Sequence, residues 1–99
     1  MRSGKEITFF KLLEDNNVTV LNTNKSYPNF GRNFYDFLVD INGLEYYIEI
    51  IGDDSESYKK KLLEREKKFG SLLISENNYS KFFADIAANA VEKGRYHDW

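Results

Sequence analysis

The chain has 99 residues, enough for one domain with a modest core and too few for two. Its apolar share of 41%, with Phe 8 and Tyr 7, predicts a packed core and not a disordered chain. Cysteine is absent, which excludes disulfides and thiolate metal sites and fits a reducing cytoplasm. A single histidine, His97, excludes a multi-histidine zinc site. No apolar run approaches the ~20 residues of a membrane span, and no signal segment opens the chain, so no membrane partner is expected.

The net charge of −2 does not favour nucleic-acid binding over the whole surface, because proteins that bind DNA usually carry a basic field. The charge is unevenly distributed, however. Residues 59–68, KKKLLEREKK, contain six Lys or Arg and two Glu. This segment predicts a local basic face.

In chain order, Ser3 followed three residues later by Glu6 is the pattern of a capping box, and apolar residues at helical spacing predict a first helix near 4–15. A short strand is expected at 18–21, followed by a polar loop at 22–32. Two strand-like runs, 33–41 and 44–51, then flank Asn42-Gly43. That dipeptide suits a two-residue hairpin turn in which both central residues have positive φ.

The second half of the chain predicts a helix at 55–69 capped by Gly70, a strand at 71–75 and a last helix at 80–93. The order is α-β-β-β-α-β-α, and the helical crossover makes the third and fourth strands parallel. We therefore expect an α+β fold with a mixed sheet. The absence of repeats or linkers predicts a single domain over residues 1–99.

The predicted hairpin brings acidic residues of two strands together. With Asn42-Gly43 as the turn, Phe37 faces Ile48 on an apolar face, and the other face pairs Asp40 with Glu45 and Asp36 with Glu49. Directly opposed β-carbons lie ~4.5–5.5 Å apart, where like charges are destabilising. Two carboxylates inside a sheet either share a proton or hold a cation, and hard oxygen ligands suit Mg²⁺ or Mn²⁺. In a different register the acids would face solvent separately.

These residues resemble a known superfamily. Residues 35–37, YDF, followed by 47–52, YIEIIG, between an opening helix and a crossover helix, resemble the core of the PD-(D/E)xK nucleases. The nearest resemblance is to the very-short-patch-repair-like branch, which includes phage homing endonucleases. It implies a restriction-endonuclease-like αβββαβ core with a C-terminal helix, and a host that is a bacterial or phage-infected cell.

The resemblance implies that Asp36 and Glu49 ligate Mg²⁺ or Mn²⁺ together with the carbonyl of Ile50. It also matches Glu6 to an acid that the superfamily often places on its first helix, although Glu6 is equally expected as the acid of the capping box. The implied activity is hydrolysis of DNA phosphodiesters to 5′-phosphate and 3′-hydroxyl ends.

Two departures from the pattern stand out. The usual lysine two residues after the second acid is replaced by Ile51, and the histidine that the branch has after the glycine is missing. Some relatives carry the lysine on the next helix, so Lys61 is the predicted catalytic lysine. A solvated helix face is the alternative for each basic residue there, and His97 is expected to be incidental.

The expected partner is double-stranded DNA. The chain shows no groove-reading module, which predicts recognition by a separate region of a longer parent protein, by a homodimer or by the polar loop. The predicted DNA-binding residues are Lys25, Arg32, Lys59, Lys60 and Arg65, with loop asparagines Asn24, Asn29 and Asn33 beside them. The alternatives are RNA cleavage, a nuclease fold with weakened cleavage, and a non-enzymatic interaction module in which the aromatic residues form core or interface.

Overall fold

A computed structural model describes residues 4–99 of the chain. Its elements are α1 (Gly4–Asp15), β1 (Thr19–Ser26), β2 (Phe34–Ile41), β3 (Leu44–Ile50), α2 (Glu56–Phe69), β4 (Leu72–Ile74), a 3₁₀ turn (Glu76–Asn78) and α3 (Tyr79–Ala88). The four strands form one sheet in the order β1-β2-β3-β4. The β1–β2 and β2–β3 pairs are antiparallel, whereas β3 and β4 are parallel. The predicted α+β fold, element order and mixed sheet are confirmed.

The β2–β3 hairpin has the predicted turn. Asn42 and Gly43 both have positive φ, 53° and 87°. The register runs from Ile41 opposite Leu44 to Phe37 opposite Ile48, as the turn requires. The pairing of β2 with β3 ends at Phe37 and Ile48, so Asp36 and Glu49 are the next residues beyond the last pair.

The first strand is longer than predicted. Residues 22–26, expected in a polar loop, belong to β1, with Lys25 opposite Tyr35 and Ser26 opposite Phe34. The polarity of this segment is misleading because β1 is an edge strand with mostly exposed side chains, so it needs few apolar residues. The true loop covers only residues 27–33. It closes through the N–H of Tyr27, which donates to the carbonyl of Asn33 at 2.9 Å.

Helices cover both faces of the sheet. On one face Phe9 and Leu13 of α1 and Phe82 of α3 pack against β2, β3 and β4 in the main core. On the other face Leu62 of α2 packs against Ile51 and Leu73. Because the sheet is buried from both sides, a polar side chain near its centre is removed from water and needs a partner.

The last helix ends at Ala88, not at residue 93 as predicted. Asn89 has a left-handed backbone with φ 53° and stops the helix. The chain then returns along the protein, so that Tyr96 is fully buried and its O–H donates to Asp85 at 2.5 Å. Ser3 of the expected capping box lies outside the described residues. No helix within residues 4–99 is both long and apolar enough to cross a membrane.

Candidate metal centre

Asp36 lies where β2 and β3 stop pairing. Its Oδ2 accepts the backbone N–H of Ile50 at 2.7 Å, so the side chain occupies a backbone donor of β3. Burial, and then the charges of Glu49 and Glu6, raise the pKa of Asp36 from 3.8 to about 8, while the Ile50 N–H opposes this rise. A hydrogen bond with Glu6 also favours the protonated form of Asp36. Near pH 7 the geometry therefore favours a proton on Asp36.

Glu49 lies on the neighbouring strand and is 4% exposed. Its Oε2 accepts the O–H of Tyr27 at 2.8 Å and an N–H of Arg65 at 2.7 Å. Burial raises the pKa of Glu49, whereas Arg65 and Tyr27 oppose the rise by stabilising the charged carboxylate. Glu49 is therefore the carboxylate of a buried ion pair with Arg65.

A third acid, Glu6, comes from the first turn of α1. Its charge acts on both Asp36 and Glu49, and its side chain hydrogen-bonds Asp36. With all three acids ionised and Arg65 charged, the group carries three negative charges against one positive charge. The remaining excess of two negative charges is what one divalent cation would neutralise.

The chemistry of these groups fits Mg²⁺ or Mn²⁺, which prefer carboxylate and carbonyl oxygens and keep several water ligands. Asp36, Glu49 and the carbonyl of Ile50 would hold the ion. Among residues 4–99 no three His, Cys, Asp or Glu side chains are arranged to enclose a metal ion. A site with two carboxylates and a carbonyl does not need a third such side chain, because Mg²⁺ is usually bound by one or two carboxylates plus water.

The two residues after Glu49 have different roles in the structure. The carbonyl of Ile50 accepts the O–H of Tyr58 of α2 at a long 3.4 Å. Ile51, at the position where the resemblance expects a lysine, is 5% exposed and packs in the core between α2 and the sheet. A charged side chain at position 51 would be buried in that apolar cluster. The basic side chain beside Glu49 therefore comes from another element of the fold.

The basic side chain beside Glu49 is Arg65 of α2. The residues of α2 that face the sheet recur at helical spacing, and they are Tyr58, Leu62, Arg65 and Phe69. Lys61, the predicted catalytic lysine, is exposed on the same helix. The structure thus places Arg65, predicted only as a DNA-binding residue, against the acids, and Lys61 on the surface.

The other predicted DNA-binding residues are spread over the surface. Lys25 and Arg32 are exposed, Lys25 within β1 and Arg32 within the loop 27–33, and Lys60 is exposed on α2. Lys59 lies 3.7 Å from Glu56 and stacks over the Trp99 ring at 5.7 Å. The structure therefore does not gather these side chains into one cluster with Arg65.

A cleft of about 380 Å³ lies beyond the carboxyl ends of β3 and β4. Four acids line it, Asp53, Asp54, Glu76 and Asp98, with Lys5 as the only basic side chain among its lining residues. A phosphate backbone is repelled by such a lining.

Sequence reasoning missed Tyr27, named Asn33 only as a loop residue able to bond DNA, and predicted Arg65 only as a DNA-binding residue. The helical period of α2 could have identified Arg65 as a residue facing the sheet. No sequence signal places Tyr27, because its contact with Glu49 depends on how the loop 27–33 folds back. Comparison with models of known protein families, and with curated protein sequences, found no match for this chain.

Proposed function

We propose that the protein is a metal-dependent endonuclease that hydrolyses DNA phosphodiester bonds, as its resemblance to the PD-(D/E)xK nucleases implies. The observation that carries this proposal is a pair of acids, the half-buried Asp36 and the buried Glu49, at the point where two strands separate. An acid whose pKa is raised by burial and by neighbouring acids, as that of Asp36 is, is typical of a functional site.

Each residue has a defined part in this proposal. Asp36 and Glu49 provide the carboxylates, and Ile50 provides a carbonyl. A bound Mg²⁺ or Mn²⁺ would polarise the phosphoryl oxygen and lower the pKa of an attacking water. Glu6, which hydrogen-bonds Asp36, orients that carboxyl.

The test is nicking of supercoiled plasmid DNA with Mg²⁺ or Mn²⁺. The wild type is expected to nick, and Asp36→Asn and Glu49→Gln are expected to lose about 100-fold or more of the rate, since each removes a ligand group. Glu64→Gln, which neutralises an exposed acid on α2, is the matched control and should nick normally. A wild type that is inert with both metals, or acid variants that cut normally, would contradict the proposal.

A second candidate is a nuclease fold that binds DNA without cutting it. It is favoured by Ile51 in place of the expected lysine and by the ion pair that occupies Glu49. The same assay separates the two candidates. A wild type that shifts labelled duplex DNA but leaves the plasmid intact with both metals supports the second.

A further inference from the structure

Tyr27 links the carboxylate of Glu49 to the start of β4. Its hydroxyl donates to Oε2 of Glu49 at 2.8 Å and lies 2.8 Å from the hydroxyl of Ser71, the residue before β4. A phenol has a single proton to donate and a carboxylate can only accept, so Ser71 donates to Tyr27. Tyr27 and Ser71 are 2% and 0% exposed, so these hydrogen bonds are shielded from water.

The ring of Tyr27 is held on several sides. It stacks on Phe69 of α2 with 4.4 Å between the ring centroids, and the rings of Tyr35 and Tyr47 lie 5.4 Å and 5.0 Å away. Burial, and then the charge of Glu49, raise the pKa of the Tyr27 hydroxyl, so the hydroxyl keeps its proton at neutral pH. Tyr27 is therefore a fixed hydrogen-bond donor to Glu49.

The two donors that contact the side chain of Glu49 share one of its oxygens. Oε2 accepts the O–H of Tyr27 and, at 2.7 Å, an N–H of Arg65. A carboxylate oxygen offers two lone pairs, so these two donors occupy Oε2 and leave Oε1 as the oxygen for a cation. Binding of a cation by both oxygens would displace a donor and leave a buried polar group without a partner, which is costly.

Mg²⁺ and Ca²⁺ differ in what they need from a carboxylate. Mg²⁺ requires near-octahedral geometry with ligands at roughly 2.0–2.1 Å and keeps several waters. Ca²⁺ takes about 6–8 oxygens at longer distances and is readily bound by both oxygens of one carboxylate. Mn²⁺ shares the octahedral oxygen coordination of Mg²⁺. A carboxylate with one available oxygen therefore suits Mg²⁺ or Mn²⁺ better than Ca²⁺.

We propose that Tyr27 determines the metal selectivity of this centre: its hydroxyl, oriented by Ser71, restricts Glu49 to binding a cation through Oε1 and so favours Mg²⁺ or Mn²⁺ over Ca²⁺. This role rests on the proposed function, because it concerns the cation of the same site. Tyr27 does not touch the cation and acts through Glu49, which makes it a positioning residue.

The test compares the dissociation constants for Mn²⁺ and Ca²⁺ in the wild type and three variants. Mn²⁺ binding is followed by electron paramagnetic resonance of the free ion, and Ca²⁺ binding by its displacement of Mn²⁺. Tyr27→Phe removes the hydroxyl and keeps the ring, and Ser71→Ala removes the donor that orients the hydroxyl. Tyr96→Phe is the matched control, because it removes an equally buried hydroxyl that binds Asp85, outside the site.

We expect Tyr27→Phe to weaken Mn²⁺ binding about 10-fold, since loss of an outer contact to a metal ligand typically costs about 10–100-fold in affinity. Ca²⁺ binding should weaken much less, because a lone pair of Oε2 becomes available to it. The ratio of the Ca²⁺ to the Mn²⁺ dissociation constant should therefore fall several-fold. Ser71→Ala should lower this ratio by less, and Tyr96→Phe should leave it unchanged.

Equal weakening for both ions in Tyr27→Phe would overturn the selectivity role, because a side chain that only supports the fold affects both ions alike. The same change of ratio in Tyr96→Phe would overturn it too, as would a wild type that prefers Ca²⁺ to Mn²⁺. A wild type that binds no Mn²⁺ would refute this role and the proposed function together. A wild type with the expected ion preference that leaves plasmid DNA intact would refute the endonuclease and retain the role of Tyr27.

Discussion

Replacing Asp36 by Asn is expected to stabilise the metal-free protein at neutral and alkaline pH. In the wild type the Asp36 carboxyl accepts the Ile50 N–H with one oxygen and hydrogen-bonds Glu6 in a way that favours its protonated form. An asparagine reproduces both contacts, because its oxygen accepts and its NH₂ donates. The variant therefore resembles wild-type protein with Asp36 protonated.

The size of the effect follows from proton linkage. The pKa of Asp36 is raised from 3.8 to about 8 in the folded state, so the folded protein holds a proton that the unfolded chain releases. The stability contributed by this group is fully present below about pH 4 and is lost as the pH rises towards 8. A difference of one in pKa corresponds to about 1.4 kcal/mol, which gives an upper bound of roughly 4 kcal/mol at pH 7.

The assay is thermal or urea unfolding of wild type and Asp36→Asn from pH 4 to pH 8.5 in EDTA. For a domain of this size each kcal/mol shifts the melting temperature by roughly 4–8 °C. The advantage of the variant should vanish near pH 4 and grow with pH, whereas the exposed-acid control Glu64→Gln should show no such trend. A variant that is less stable than wild type throughout, or an advantage independent of pH, would refute the reasoning.

Three further variants test contacts around the site and in the fold. Tyr27→Phe removes the O–H that binds Glu49 and contacts Ser71, and should lower the free energy of unfolding by about 1–3 kcal/mol in urea melts. An unchanged midpoint would mean that this contact does not hold Glu49. Gly70→Ala places a β-carbon at φ 69° in open space, so backbone strain alone should cost about 1–2 kcal/mol. Tyr96→Phe deletes the O–H that binds a buried Asp, and it should cost about 1–3 kcal/mol; no loss would show that the C-terminal segment contributes nothing there.

The sequence predicted those parts of the fold that depend on local signals. Asn42-Gly43 determined the hairpin register, because a two-residue turn fixes which residues face each other. The crossover helix determined that β3 and β4 are parallel. The length of the edge strand β1 was underestimated. Its pairing with β2 extends it to Ser26, and the polar side chains of this segment gave no sign of that pairing.

The acids of the candidate site could be predicted from the sequence, but the basic side chain that contacts them could not. Asp36 and Glu49 follow from the hairpin, whereas their exact relation does not, since Asp36 leaves the ladder to bind the Ile50 N–H. Lys61 was predicted because some proteins of the resembled superfamily carry the lysine on the next helix. The side chain that reaches the acids is decided instead by the helical face that packs on the sheet, and position 65 lies on that face.

The claim on which the proposed function depends is that Asp36 and Glu49 hold one divalent cation. The most direct test is a titration of Mn²⁺ into the protein, with free Mn²⁺ followed by electron paramagnetic resonance. We expect one bound Mn²⁺ per wild-type chain and binding weakened about 10–100-fold or more in Asp36→Asn and in Glu49→Gln. Absence of binding by the wild type, or equal binding by all three proteins, would contradict it.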